Sequence, residues 1–394
     1  MNGKREIYLD NSATTRISDA ALKKYNEVSL SSYGNPSSLH SLGLIAEKEI
    51  NSAKEKILSS LNERESTVVF TASGSEANNL AIIGRALSKD RYRKGAKIII
   101  SQGEHASVSS PVSKLKEMGF KTVEIPTLDG KIDFDTLSEE MTPDVILVSI
   151  MMVNNETGAL YDVAEVAKIM RKNSPEALLH VDATQSYMKV KFTKRGIGAD
   201  MITLSSHKIE GPKGVGALVI DNKIIKNRGL APLILGGGQE GGLRSGTENV
   251  PGIAAFGEAV SIGVQNLDEN VEKLETLRSY LIEKLQNSET LSEISITNPE
   301  KYAPHILNIT VPDIKSETLL HYLSSLGIFV SSGSACSSNS AHISSALTSF
   351  GRTGEEADSS VRISFSHRNS LEDVDALCEG LTEAIKRLAR IKRR

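Results

Sequence analysis

The chain has 394 residues, which at roughly 150 per domain implies two or three domains. Hydrophobic residues make up 39% and charged residues 24%, the balance of a globular chain with a large core rather than of a disordered one. With 46 Lys and Arg against 49 Asp and Glu the net charge is −3, and Trp is absent, so neither a global basic field nor base stacking points to nucleic acid.

The N-terminal MNGKREIYLDNSATT has no apolar core of a secretory signal. No later run reaches the roughly 18 apolar residues of a membrane span. From about residue 67, short apolar runs alternate with helical patterns. The runs are TVVF (67–70), KIII (97–100), DVILVSI (144–150), ALLHV (177–181), DMITL (200–204) and GALVI (216–220). Stretches at helical period, such as Glu76–Leu87, Ser107–Met118 and Val163–Arg171, lie between them. This alternation predicts an α/β fold with a mostly parallel sheet. Polar, Gly-rich or titratable clusters follow the runs: TASGSEANN, SQGEHAS, MMVNNETG, DATQ and SSHKIEGPKG. In open α/β sheets the ligand crevice lies beyond the strand ends, so one site is expected there.

After Pro251 the apolar GIAAFGEAVSIGV passes into the charged DENVEKLETLRSYLIEKL, which predicts a long connecting helix and a domain boundary near 264. The remainder reads as α+β, with strands at 306–311, 328–332 and 361–365 and a helix over about 316–326. Ser370 and Asp373 stand in capping-box spacing before the last helix. Its stripe of Val374, Leu377, Cys378, Leu381, Ile385 and Leu388 has a helical period, which places Cys378 on a core face as packing. The basic end IKRLARIKRR reads as a solvated helix terminus. Two cysteines, Cys336 and Cys378, allow no disulfide framework and no cage of several thiolates. They fit a reducing, cytoplasmic compartment, with no metal centre.

Several residues are placed for chemistry. Lys208 follows DMITL directly, where partial desolvation frees an amine as a nucleophile; the plainer reading is a surface lysine at a hairpin. Asp182 ends ALLHV, where a carboxylate either pairs with a protonated pyridine nitrogen or caps the next turn. Thr71–Asn79 runs from strand through SGSE into helix, so its N–H groups either meet an anion or are closed by a Ser cap with Glu76 in the first turn. His105 is either a satisfied structural histidine or a group that stacks on a ligand and moves its proton. Arg362 alternates with Val361 and Ile363, as a carboxylate clamp or as an edge charge. Cys336, in SSGSACSSNSAH, has Ser and Gly neighbours, no Lys or Arg within ten residues, and His342 as the nearby base. That spacing shows access but not activation of the thiol.

Taken together, the ordered motifs YLDNSATT, GNPSSLH, SGSEANN, GEHASV, VNNETG, VDATQS, SHKIEGPKG, GGGQEGGLRSGTENVPG, SSGSACSS and SSVRIS resemble cysteine desulfurases of the NifS/IscS type. These belong to the class V aminotransferase group of fold-type I pyridoxal-phosphate enzymes. The resemblance implies a large pyridoxal-phosphate-binding domain over 16–264, with a mostly parallel seven-stranded sheet flanked by helices. A smaller α+β domain, from 1–15 and 265–394, would carry the catalytic loop at about 331–345. By the same resemblance Lys208 is the Schiff-base lysine to pyridoxal 5'-phosphate, Asp182 the partner of the pyridine nitrogen, and Gln185 the donor to the ring hydroxyl. His105 is the stacking residue and proton carrier. Gly74, Ser75, Ser205 and His207 form the phosphate shell, and Thr247 reaches the phosphate of the other subunit of a homodimer. Asn155 and Arg362 hold the carboxylate of the L-cysteine substrate, and Cys336 is the persulfide nucleophile. The implied products are L-alanine and a Cys336 persulfide. The persulfide passes to a sulfur-acceptor protein for iron–sulfur, thio-cofactor or tRNA biosynthesis. A selenocysteine lyase, or another class V aminotransferase or lyase, is the alternative. The chain departs from the family pattern at Glu210, where an aromatic is usual, and at Ser75, which stands for a threonine. SSNSAHI lacks the usual proline, and SFSHRNS is shifted at its strand end.

Overall fold

The structure is a computed structural model that describes residues 5–88, 95–332, 344–352 and 354–392. In chain order its strands are β1 (Ile7–Tyr8), β2 (Ser66–Thr71), β3 (Lys97–Ser101), β4 (Lys121–Ile125), β5 (Thr127–Leu128), β6 (Lys131–Ile132), β7 (Val145–Met151), β8 (Leu178–Asp182), β9 (Met201–Ser205), β10 (Gly216–Asp221), β11 (Ser295–Thr297), β12 (Ile306–Thr310), β13 (Ile328–Phe329), β14 (Ser331–Ser332) and β15 (Ser360–Ser364). Seven form the main sheet in the order β2-β10-β9-β8-β7-β3-β4. Only β10 runs antiparallel to its neighbours. The chain adopts the α/β class expected from its pattern and the mostly parallel seven-stranded sheet that the family resemblance implies.

Burial on both faces explains the continuous apolar runs. Every residue of β7 and β8 is buried, and the two sides of the sheet pack into separate apolar clusters. The seventh strand, β4, had not been read from the sequence. It is an edge strand with Lys121 and Glu124 exposed, and its pattern is that of a solvated edge. A buried histidine interrupts the apolar interior of β8. His180 lies between the hydroxyls of Ser149 at 2.8 Å and Thr203 at 2.9 Å, and burial lowers its pKa to about 4, so it is a neutral strand-to-strand link.

The expected connecting helix is two helices. Val250–Gln265 is mostly buried, Leu267–Asn287 is amphipathic, and Asn266 joins them with φ −108° and ψ 10°. A four-stranded sheet of order β11-β12-β15-β14 follows, with its own apolar cluster. The single run read at 328–332 is split. β13 pairs in parallel with β1, and β14 pairs with β15. The N-terminal segment therefore reaches across to the second sheet, where Asp10 bridges to Ser364.

The last helix spans Leu371–Lys392, and the Asp373 carboxylate accepts from the Ser370 N–H at 3.2 Å, the return half of a capping box. Cys378 is buried, and burial pushes its thiol up to about 11. Cys378→Ser is therefore expected to keep activity. Burial of a hydroxyl should cost about 1–2 kcal/mol of stability, read as a lower midpoint in denaturant. Loss of turnover with stability intact would contradict this assignment.

Candidate active site

A cavity of about 480 Å³ opens where the carboxyl ends of β3, β7, β8 and β9 meet the N-terminal segment and β15. It is lined by Gly74, Ser75, His105, Asn155, Asp182, Gln185, Ser205, His207, Lys208 and Arg362. Ten of the residues singled out in the sequence thus converge on one crevice, as the strand-end rule requires.

Asp182 is buried at the floor, at the end of β8. Its Oδ2 accepts from Asn78 Nδ2 at 2.8 Å and its Oδ1 from the Thr184 N–H at 2.9 Å. The carboxylate therefore closes the turn, as one reading of it expects, and also lines the cavity. The same Asn78 amide reaches Ser107 Oγ at 2.8 Å. His105 caps the helix Ala106–Glu117, its Nδ1 accepting from the Ser107 N–H at 3.1 Å. An accepting Nδ1 leaves the proton of the neutral ring on Nε2. Burial lowers the His105 pKa, with Asp182 opposing and Lys208 reinforcing that shift.

Lys208 follows β9 in a short turn, and its Nζ donates to the carbonyls of Ser12 and, at 3.0 Å, Ala13. Gln185 Nε2 also donates to the Ser12 carbonyl at 3.0 Å. His207 contacts Thr14 Oγ1 at 3.1 Å, and burial lowers its pKa to about 4, so it is neutral. The N-terminal segment thus lines the site, a contribution the motif reading had not assigned.

The helix Gly74–Ala86 begins at the cavity wall, capped by Ser73, whose hydroxyl accepts from the Glu76 N–H. A Cβ on Gly74 would meet Ser205 Cβ at 3.2 Å and Thr184 Oγ1 at 3.3 Å. Glycine therefore keeps open a hollow between a helix N-terminus and hydroxyl groups, the setting of an anion site.

At the opposite wall Arg362 is buried. Its Nη1 donates to the Asn155 carbonyl at 2.8 Å and its Nη2 to Asp10 Oδ1 at 2.9 Å. Its Nε is buried and has no partner among the described residues. Asn155 enters through its backbone oxygen. Asp10 was not foreseen, because 352 positions separate it from Arg362.

Two further carboxylates flank the site. Glu156 accepts from Ser344 Oγ at 2.5 Å, and burial raises its pKa. Glu104 Oε1 accepts from Ser101 Oγ and, at 2.6 Å, from the Met151 N–H. Its Oε2 has no partner among the described residues, and burial raises its pKa to about 8. The folded chain then holds this proton where an unfolded glutamate has lost it. Stability contributed by the protonated group falls as pH rises from about 4.5 to about 8. Glu104→Gln is expected to flatten that part of the thermal-unfolding profile against pH. An unchanged slope would show that another group carries it.

Thr247 is exposed in the segment before Val250 and does not line this cavity of its own chain. Cys336 lies outside the described residues. A second hollow, of about 510 Å³, lies beside the amino-terminal end of β8. Its cations are engaged, Arg171 with Asp200 at 2.6 Å and Lys223 with Asp200 at 3.6 Å.

The aminotransferase class-V family model matches residues 7–377. The chain is 38% identical to a protein named cysteine desulfurase IscS 1 from Archaeoglobus fulgidus, over 97% of both chains. A solved structure titled NifS-like protein superposes with a TM-score of 0.89 at 34% identity, covering 97% of this chain and all of the other. A structure titled SspA in complex with cysteine gives 0.77 at 30% identity, over 92% of this chain and 99% of that one. Fold, strand-end site and near full-length similarity agree: the chain belongs to the aminotransferase class-V family.

Proposed function

We propose that the chain is a cysteine desulfurase that takes sulfur from L-cysteine, releases L-alanine and leaves a persulfide on Cys336 for a sulfur-acceptor protein. The observation that carries this reading is the convergence of an amine, a buried carboxylate, a neutral histidine and a buried arginine on one cavity with an anion-ready helix terminus.

These residues fit pyridoxal 5'-phosphate. The Gly74 hollow, with Ser75 and Ser205 beside it, suits the phosphate, Asp182 the ring nitrogen, Gln185 the ring hydroxyl and His105 the ring face. When bound, the cofactor supplies an electron sink for charge left at the substrate Cα. Arg362 orients the substrate through its carboxylate. Lys208, released from its carbonyl partners, takes the Cα proton. Asp182, oriented by the Asn78 and Thr184 donors, would hold a proton on the ring nitrogen. The Cys336 thiolate attacks the substrate sulfur: an S–S bond forms, the C–S bond breaks, and its electron pair passes to carbon. His105 returns a proton through Nε2.

We also propose two domains, divided near 264, and a cytoplasmic homodimer. Leu30, Tyr33, Leu39, Leu44 and Ile45, all within positions 30–45, are exposed apolar side chains, Leu39 95% so, and a partner chain that covers them would remove that surface from water. The proposal has Thr247 completing the phosphate shell of the partner. Sedimentation should show two chains, and a fully active, cofactor-saturated monomer would refute the assignment of Thr247. Mass analysis for a persulfide on Cys336, paired with alanine release, tests the activity itself.

A further inference from the structure

Two departures from the family pattern, Glu210 and the SFSHRNS segment, meet in space. Glu210 lies two residues after Lys208 and has φ +64°, a conformation that costs a non-glycine residue energy unless its surroundings hold it. Its backbone is held on both sides, the N–H donating to Thr15 Oγ1 at 2.8 Å and the carbonyl accepting from the Ser18 N–H at 2.9 Å. Its carboxylate reaches across to the segment after β15. Arg368 donates to it from Nε at 3.3 Å to each oxygen and from Nη2 at 3.0 Å, and His367 Nδ1 stands at 3.4 Å. The Glu210 side chain is only 13% exposed, so this fork is better shielded than an ordinary surface pair.

The clamp joins the two walls of the site. Lys208 precedes Glu210 on the β9 side, and Arg362 precedes His367 and Arg368 on β15. We propose that Glu210 is a positioning residue that, through Arg368, fixes the spacing between Lys208 and Arg362 and so selects substrates carrying both an amine and a carboxylate. This rests on the roles given above to Lys208 and Arg362. Lys208 must reach the substrate Cα while the carboxylate on that carbon meets Arg362, so a shift between the walls penalises only ligands that touch both.

The experiment compares Glu210→Gln, Arg368→Gln and the double variant with the parent holoenzyme. Binding of L-cysteine and of cysteamine, which lacks the carboxylate, is followed by the cofactor's visible absorbance. Amide hydrogen exchange of 206–211 and 365–369 is followed in cofactor-free protein. Each single variant is expected to weaken cysteine binding by about tenfold or more and cysteamine binding by less than about twofold. The double variant should lose no more than either single one, the mark of one shared interaction. Exchange should quicken together in both segments, with or without cofactor. Equal losses for both ligands, additive losses, or unchanged cysteine binding would each overturn the proposal. Arg362→Ala separates the levels. If it discriminates cysteine from cysteamine and Glu210→Gln does not, the clamp alone fails. If Arg362→Ala does not discriminate, the carboxylate role fails and the clamp with it.

Discussion

Lys208→Ala is expected to abolish the visible absorbance of lysine-linked cofactor and to slow cysteine turnover by at least about 10²–10⁴-fold, the effect of losing a positioned general base. Among the described residues lining the cavity, Lys208 is the one lysine. Its turn after β9 brings the amine to the Ser12 and Ala13 carbonyls, and no side chain of that wall replaces it. The truncation leaves the fold in place, because Lys208 is only half-buried and the sheet behind it packs through Met201, Ile202 and Leu204. Folded variant that still binds cofactor, but without the lysine-linked colour, is the outcome that fits. Retention of both colour and turnover would remove Lys208 from the mechanism.

Cys336→Ser should be equally severe in turnover and mild in structure. Lys208 and the cofactor labilise Cα without any thiol, but breaking the C–S bond by attack on sulfur needs a second nucleophile, and a serine oxygen is a poor one toward sulfur. The variant is expected to stay folded and yellow, bind cysteine, and release almost no alanine. Its unfolding midpoint should match the parent's. Parental turnover in Cys336→Ser would point instead to a lyase that relies on the cofactor alone.

Much of this site was legible because its chemistry sits at strand ends. Lys208, Asp182, Ser205 and His105 each follow an apolar run that is buried on both faces, and such runs stand out in a sequence. β4 did not stand out, since its edge position lets Lys121 and Glu124 face water. The partners of the site residues left no local signal either. Asn78 lies inside a helix and is recognised only by its bonds to Asp182 and Ser107. Asp10 reaches Arg362 because β1 pairs with β13, far along the chain. Glu210 and Arg368 were visible as departures, but nothing in their spacing showed that they form a pair.

The most direct measurement is the mass of the Cys336-containing peptide after L-cysteine is added to holoenzyme under non-reducing conditions, with alanine counted in the same sample. The desulfurase account predicts one added sulfur atom on Cys336, none on Cys378, and one alanine released for each sulfur retained in the first turnover. Alanine released while Cys336 stays unmodified would contradict it.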